Sequence, residues 1–270
     1  AYNISTMNID LSGKRALVTG ASSGIGAAIA EVFAAAGARV AVHARTLAKA
    51  EATVERIKAA GGRAFAVEAD LIEPSAIEAM CDAGIKGLGG VDIVMNNAGL
   101  YIPQAVVEGD GDTWRETMAV NLEAPRLITR ITLQTMIDQG TGGRQLYISS
   151  VSAIMAEVLG SAYCASKAGL NALVRCLAVE VGQYGITANS INPGWVDTPM
   201  ARKAFEDMKE EGQSLEDLVE ESMRDYTLGV VIKPADIAAM AAYLASEHGR
   251  CITGQDINIC AGLSLVRYGD

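Results

Sequence analysis

The stretch Arg15-Ala16-Leu17-Val18-Thr19-Gly20-Ala21-Ser22-Ser23-Gly24-Ile25-Gly26 runs from a short, mostly apolar segment through three glycines, and an alanine-rich segment of helical period follows at 27–36. The pattern reads as strand, turn, helix. Such a turn suits an anionic ligand. Glycine lets the backbone turn tightly and approach a phosphate, and the first turn of the helix presents unpaired N–H groups at the positive end of its dipole. Gly20, Ser22, Ser23, Gly24, Ile25 and Gly26 are therefore candidate contacts to a pyrophosphate. The spacing is G-x-x-x-G-x-G rather than the generic G-x-G-x-x-G, and alone it equally describes an ordinary glycine-rich turn. The flanking strand and helix are what favour a dinucleotide.

The same rhythm continues outward. Strand candidates at 39–43, 64–67, 91–95, 145–149, 186–191 and 256–259 alternate with helical patterns, including 49–60, 76–85, 112–138 and 162–183. Near-continuous apolar strands of this kind are buried on both faces, which predicts an α/β fold with a doubly wound, mostly parallel sheet of seven strands. Gly37, Gly61-Gly62 and Gly89-Gly90 fall where helices should end in left-handed caps. No boundary divides the chain, so 1–270 reads as one domain. Residues 199–226 break the rhythm with a charged, weakly amphipathic helical insert, read as a lid over a substrate site or else as a solvated helical pair. Residues 1–8 read as a disordered leader.

The composition narrows the classes. Half of the 270 residues are hydrophobic and a fifth charged, enough for a packed core. A net charge of −10 argues against a nucleic-acid or anionic-membrane surface, which needs clustered Lys and Arg. Cys81, Cys164, Cys176, Cys251 and Cys260 are scattered and lack C-x-x-C pairing, so neither disulfides nor a metal site is expected, and reduced thiols fit a cytoplasmic protein. The first residues lack a secretory pattern, and no apolar run is long enough to span a bilayer.

The end of the second strand reads His43-Ala44-Arg45. A carboxylate there would bind an adenosine 2′-hydroxyl and repel a 2′-phosphate. Arg45 does the reverse, so NADP(H) is favoured over NAD(H), unless the side chain is merely a solvated loop residue. Further along, Tyr163 and Lys167 lie four apart on one helix face, where a cation and an oxidised nicotinamide both favour the phenolate. Tyr and Lys at this spacing are more often a packed ring and a solvated amine. Ser150, at the end of a strand, adds a hydroxyl where open α/β sheets place their ligands. Asn121 is an amide in an apolar helical stretch, equally readable as a satisfied buried polar group.

From residue 11 to residue 262 the chain resembles the short-chain dehydrogenase/reductase family. The motifs are Thr19-Gly20-x-x-x-Gly24-x-Gly26, Asn96-Asn97-Ala98-Gly99, Ser150 with Tyr163-x-x-x-Lys167, and Pro193-Gly194-Trp195-Val196-Asp197-Thr198. The resemblance implies a Rossmann fold and a tetrad of Asn121, Ser150, Tyr163 and Lys167. Tyr163 would exchange the proton at the substrate oxygen and Ser150 would position that oxygen. Lys167 would hold the nicotinamide ribose and lower the tyrosine pKa, and Asn121 would hold a water linking the lysine to solvent. It further implies adenine contacts at Asp70 and Leu71, cofactor contacts at Asn97, Ala98 and Gly99, with Asn97 in the motif that supports the central sheet, cofactor contacts at Pro193 and Gly194, a carboxamide clamp at Val196 and Thr198, and a homotetramer. Two departures stand out. Thr227-Leu228-Gly229-Val230-Val231 lacks an arginine common in relatives, and Cys260-Ala261-Gly262 replaces a common aspartate and two glycines.

The expectation is therefore an NADP(H)-preferring oxidoreductase that moves a hydride between nicotinamide and a secondary alcohol or ketone. The acidic insert, with Met200, Phe205, Met208, Leu215, Leu218 and Met223, favours a sugar, polyol or small hydroxy compound, with a 3-oxoacyl thioester as the alternative. A non-catalytic nucleotide sensor is the reading of another class.

Overall fold

The computed structural model describes residues 8–209 and 213–265, with the side chains of Asp207 and Met208 left out of the description. Residues 1–7 of the expected leader, and 210–212 and the Met208 side chain of the expected lid, lie outside the described residues. Asn8 is described, with its carbonyl oxygen 3.2 Å from His248 Nε2.

Seven strands form one sheet: β1 (Arg15–Val18), β2 (Arg39–Ala44), β3 (Arg63–Glu68), β4 (Ile93–Asn96), β5 (Gly143–Ile148), β6 (Ile186–Pro193) and β7 (Asp256–Ile259). Their order is β3-β2-β1-β4-β5-β6-β7, and every pairing is parallel. Leu17 of β1 is in register with Ala41 of β2 on one side and Val94 of β4 on the other. The chain winds outward from β1 to β3 and then returns to β4 beside β1, so the direction of winding reverses there and leaves a crevice beyond the carboxyl ends of β1 and β4.

Helices cover both faces. On one side α1 (Gly24–Ala35), α2 (Leu47–Ala59) and α9 (Pro234–Ala245) bury Ile29, Phe33, Val54 and Ile237 against Val18, Val42, Met95 and Ile148. On the other, α3 (Pro74–Leu88), α5 (Ala124–Gln139) and α6 (Ser161–Val181) bury Ile77, Met80, Ile128, Met136, Leu170 and Val174 against Leu17, Ala41, Val94 and Tyr147. Alternate strand residues thus feed different cores, and the apolar runs are continuous because both faces are covered. α3 ends at Gly89, whose φ of 77° is left-handed and whose N–H reaches the Ile85 carbonyl at 2.9 Å. Gly62 differs from the expectation, since only Gly61 of that pair has a positive φ.

The single helix read at 112–138 is divided. α4 (Gly111–Met118) passes into a wider π turn at Ala119–Glu123 before α5 begins, and Asn121 sits in that turn. Pro125, at the start of α5, lacks the N–H that a continuous α-helix would use there. The insert forms α7 (Pro199–Met208) and α8 (Leu215–Ser222), capped by the Thr198 and Ser214 side chains. Among the described residues no helix is long and apolar enough to cross a membrane.

Two polar contacts fix the central strands. Arg15 pairs with Asp92 through Nε–Oδ2 at 2.8 Å and Nη2–Oδ1 at 2.7 Å, and burial, which alone would raise the Asp92 carboxyl, is outweighed by the guanidinium that holds it below the usual range. His43 is fully buried at the end of β2. Its Nδ1 accepts the Gly20 N–H at 3.2 Å, and its Nε2 faces the Ala69 carbonyl at 3.2 Å, which assigns the proton to Nε2. Burial keeps the ring neutral, with its pKa below the ordinary imidazole value, the hydrogen bond to Ala69 opposing the shift.

His43 therefore binds no proton in the fold at a pH where the unfolded chain already does. Its contribution to stability is complete above about pH 6.5 and is lost as the pH falls toward the lowered folded-state value. Urea unfolding between pH 8 and 5.5 should show the wild type losing stability more steeply than His43→Gln. Parallel curves would show that the imidazole is not held neutral.

Candidate active site

The glycine turn is clamped to the end of β4. Thr19 Oγ1 accepts the N–H groups of Asn97 (3.0 Å) and Ala98 (3.1 Å), while Asn97 Nδ2 donates to the carbonyls of Thr19 (2.9 Å) and Gly20 (3.0 Å). A Cβ on Gly26 would fall on Asn97 Nδ2 and the Gly20 carbonyl, so only glycine permits α1 to begin this close to the turn. Ser23 caps α1 without a side-chain bond to its first N–H groups, and no acidic residue lies in the first turn. That helix end is left with donors and a dipole to offer an anion. Gly24 faces the Thr198 side chain, where a Cβ would sit 3.1 Å from Cγ2.

Arg45 is exposed just beyond β2, and among the described residues it forms no ion pair. Glu68, across from Ala44 on β3, accepts the Leu47 N–H at 2.9 Å and so already holds the start of α2. Asp70 is exposed and Leu71 buried, one strand further out. Pro193 ends β6, and Gly194 N–H bonds the Ile259 carbonyl at 3.0 Å. Val196 is buried and bridges to Ile232.

Ser150, Tyr163, Lys167 and Asn121 come from the chain just after β5, from α6 and from the π turn, and the fold brings them together. Lys167 is buried, its Nζ bonded to the Ile148 carbonyl at 3.0 Å and lying 5.6 Å from the centre of the Tyr163 ring. Burial pulls its ammonium down to about 8. Burial also pushes the Tyr163 phenol up to about 12, an effect that the hydrogen bond with Ser150 partly offsets. Desolvation is the largest influence on the phenol. The Asn121 amide bonds the Leu100 carbonyl (2.9 Å) and Ser166 Oγ (3.2 Å) and accepts the Leu100 N–H (2.9 Å), fastening the π turn to the chain after β4. A Cβ on Gly99 would lie 3.3 Å from Asn121 Oδ1 and 3.4 Å from Lys167 Nζ, so glycine keeps the space between them open.

Several residues around this centre carried no signal in the sequence. Ser150 Oγ bonds Ser152 Oγ at 3.0 Å, and Ser152 Oγ bonds Glu157 Oε2 at 3.2 Å. Tyr101 packs edge-on against Tyr163, with ring centres 5.2 Å apart. Tyr226 OH accepts the Trp195 N–H at 3.0 Å, and Trp195 stacks edge-on with Phe205 of α7. Tyr101, Ser152, Glu157 and Tyr226 lie in loops or short turns between the long elements, where periodicity says nothing. The two sequence departures meet each other: Thr227 Oγ1 donates to the Gly262 carbonyl (3.1 Å) and Leu228 N–H to that of Ala261 (3.0 Å).

The short chain dehydrogenase family profile matches residues 14–209. A 3beta-hydroxysteroid dehydrogenase 1 of Eggerthella lenta is 35% identical over 257 residues, covering 95% of each chain. A D-beta-hydroxybutyrate dehydrogenase of Cupriavidus necator is 35% identical over 260 residues, covering 93% of this chain and 98% of its own. The solved structure of an actinorhodin polyketide ketoreductase with NADPH superimposes with a TM-score of 0.89 at 33% identity, over 93% of this chain and 97% of its own.

The buried lysine has a thermodynamic consequence. At pH 7 both folded and unfolded chains hold the Lys167 proton, so the fold bears the cost of a buried charge. That cost vanishes as the pH rises through the window from about 8 to 10.5, where the folded chain loses the proton first. Lys167→Met should therefore stabilise the ligand-free protein by about 2 kcal/mol at pH 7, after allowing for the orphaned Ile148 carbonyl. The gain should fade by pH 10 in urea unfolding; a destabilised variant at pH 7 would contradict it.

Proposed function

The chain belongs to the short-chain dehydrogenase/reductase family and is an oxidoreductase of CH–OH groups, and we propose that it is an NADP(H)-preferring enzyme of the cytosol that interconverts a secondary alcohol and a ketone on a sugar, polyol or small hydroxy compound. The observation that carries the reading is the convergence of Tyr163, Ser150 and Lys167 beside the crevice at the ends of β1 and β4.

The residues present fit a nicotinamide dinucleotide. Gly20, Ser22, Ser23, Gly24, Ile25 and Gly26 would hold its pyrophosphate at the open end of α1, Arg45 its 2′-phosphate, and Asp70 and Leu71 its adenine. Asn97, Ala98, Gly99, Tyr163 and Lys167 would hold the nicotinamide ribose side, and Pro193, Gly194, Val196 and Thr198 the carboxamide. Bound NADP(H) supplies the hydride in reduction and takes it up in oxidation. Everything else falls to the chain. In reduction Tyr163 gives its proton to the carbonyl oxygen as the C–H bond forms, and in oxidation it takes the hydroxyl proton. Ser150 turns its one hydroxyl proton from Ser152 to the same oxygen as charge develops on it. The Lys167 ammonium favours the phenolate form of Tyr163, and the amide of Asn121 holds the π turn against the chain beside that lysine. Helices α7 and α8, acidic through Glu206, Glu216, Asp217, Glu220 and Glu221, are the lid over the substrate. Their charge disfavours strongly anionic substrates.

Tyr163→Phe should lower kcat by about 10²-fold to 10⁴-fold while NADPH still binds, as measured by fluorescence titration. Unchanged turnover would overturn the assignment, and a wild type that binds NADPH without turning over any alcohol or ketone would favour a sensor. Arg45→Asp should shift the ratio of kcat/KM for NADP(H) over NAD(H) toward NAD(H) by about 10-fold to 100-fold. A wild type that strongly prefers NAD(H) would sink the 2′-phosphate role. The apolar side chains of Trp114, Met118 and Leu122 around the π turn support a homotetramer. Light scattering should give four times the 28.2 kDa chain mass, and a monomeric mass would reject the tetramer.

A further inference from the structure

The loop between Ser150 and α6 carries a carboxylate that hydride and proton transfer do not use. Ser150 Oγ donates to Ser152 Oγ at 3.0 Å, and Ser152 Oγ donates onward to Glu157 Oε2 at 3.2 Å. Glu157 is exposed, and its Oε1 has no hydrogen-bond partner among the described residues. The loop is nonetheless held in place. The Glu157 carbonyl accepts the Gly160 N–H at 3.0 Å, and Leu159 takes a φ of 62°, a left-handed conformation that L side chains rarely adopt. The Leu159 carbonyl accepts the Gln104 N–H at 2.8 Å, which ties the loop to the chain after β4.

The surroundings of this carboxylate describe a binding surface. A Cβ at Gly160, the residue before α6, would lie 3.1 Å from Glu157 Oε2, so the carboxylate stands beside the start of the helix that carries Tyr163. Through Ser152 it lies two hydrogen bonds from Ser150, so it stands at the edge of the site. On its own loop Ile154, Val158 and Leu159 are large, apolar and exposed, at 59%, 89% and 48%. Among the described residues Glu157 forms no ion pair.

We propose that Glu157 is a specificity-determining residue: its free oxygen accepts a hydrogen bond from a second hydroxyl of an uncharged substrate whose reacting oxygen lies at Ser150 and Tyr163, and its charge rejects substrates bearing a carboxylate or phosphate. Ser152 holds the carboxylate in register with Ser150. A hydrogen bond to an ionised acceptor is short and strong, and the same charge opposes an anion at that place. The proposal rests on the alcohol–ketone reading above and narrows its substrate to an apolar skeleton with two hydroxyl positions.

The test compares trans-1,2-cyclohexanediol, cyclohexanol and 3-hydroxybutyrate as substrates with NADP⁺, using the wild type, Glu157→Gln, Glu157→Ala and Ser152→Ala, each first shown to bind NADPH. The wild type should prefer the diol to cyclohexanol in kcat/KM by about 10-fold to 100-fold. In Glu157→Ala that ratio should collapse to within about 3-fold, and the ratio of 3-hydroxybutyrate to cyclohexanol should rise at least about 10-fold. Glu157→Gln should lose most of the diol preference while keeping an acceptor for Ser152, and Ser152→Ala should lose part of it. Variants that keep the wild-type ratios overturn the proposal. If the wild type turns over none of these alcohols, the alcohol–ketone reading fails separately. Calorimetric binding of the diol to the NADP⁺-loaded protein then decides the role of Glu157: affinity that falls in Glu157→Ala supports it, and equal or absent binding overturns it.

Discussion

The contact between the glycine turn and the end of β4 governs the rest of the molecule. The Thr19 hydroxyl accepts two backbone N–H groups from β4's continuation, and the Asn97 amide returns two bonds to the turn. These four bonds hold the ends of β1 and β4 in contact at the point where the winding of the sheet reverses. The missing side chain at Gly26 lets α1 start there with its N–H groups directed outward. From β4 the chain continues past Gly99 to Leu100, which Asn121 grips, and from β5 it continues to Ser150. The glycine turn and the cluster of Ser150, Tyr163 and Lys167 therefore share one frame of parallel strand ends.

The site opposes the stability of the fold that builds it. A lysine is buried among neutral groups with one carbonyl as its partner, and a tyrosine is enclosed so that its phenol resists ionisation. Burial penalises the charged form of each. The cost is offset by two large apolar cores on either side of a sheet that has no polar face.

Around the rim, irregular segments are tied to one another rather than to solvent. The loop bearing Glu157 is fastened to the chain after β4, and the turn at Thr227 to the turn at Ala261 and Gly262. Ala261, where relatives commonly have glycine, takes a left-handed φ of 49°. The bond from Leu228 to the Ala261 carbonyl is one contact that holds it there. Both departures from the family pattern thus belong to one piece of structure, which also packs Cys260 against Gly194.

How much was legible in the sequence follows from the range of the physics involved. Strand and helix positions, the parallel sheet, the glycine turn, and the spacing of Tyr163 and Lys167 all depend on local periodicity or on backbone conformations that only glycine accepts, so the residues alone determined them. The division of α4 from α5 at Asn121 was hidden, because a π turn keeps the helical apolar pattern while changing which groups bond. His43 reads in sequence as the end of a strand, and only the packing shows it as a buried link between Gly20 and Ala69. Tyr101, Ser152, Glu157 and Tyr226 carry no periodic signal, since loops place side chains through individual contacts. Some of their contacts are short in sequence, as from Ser152 to Ser150 and Glu157, while others, from Tyr226 to Trp195 and from Tyr101 to Tyr163, exist only once the strands have set distant loops side by side.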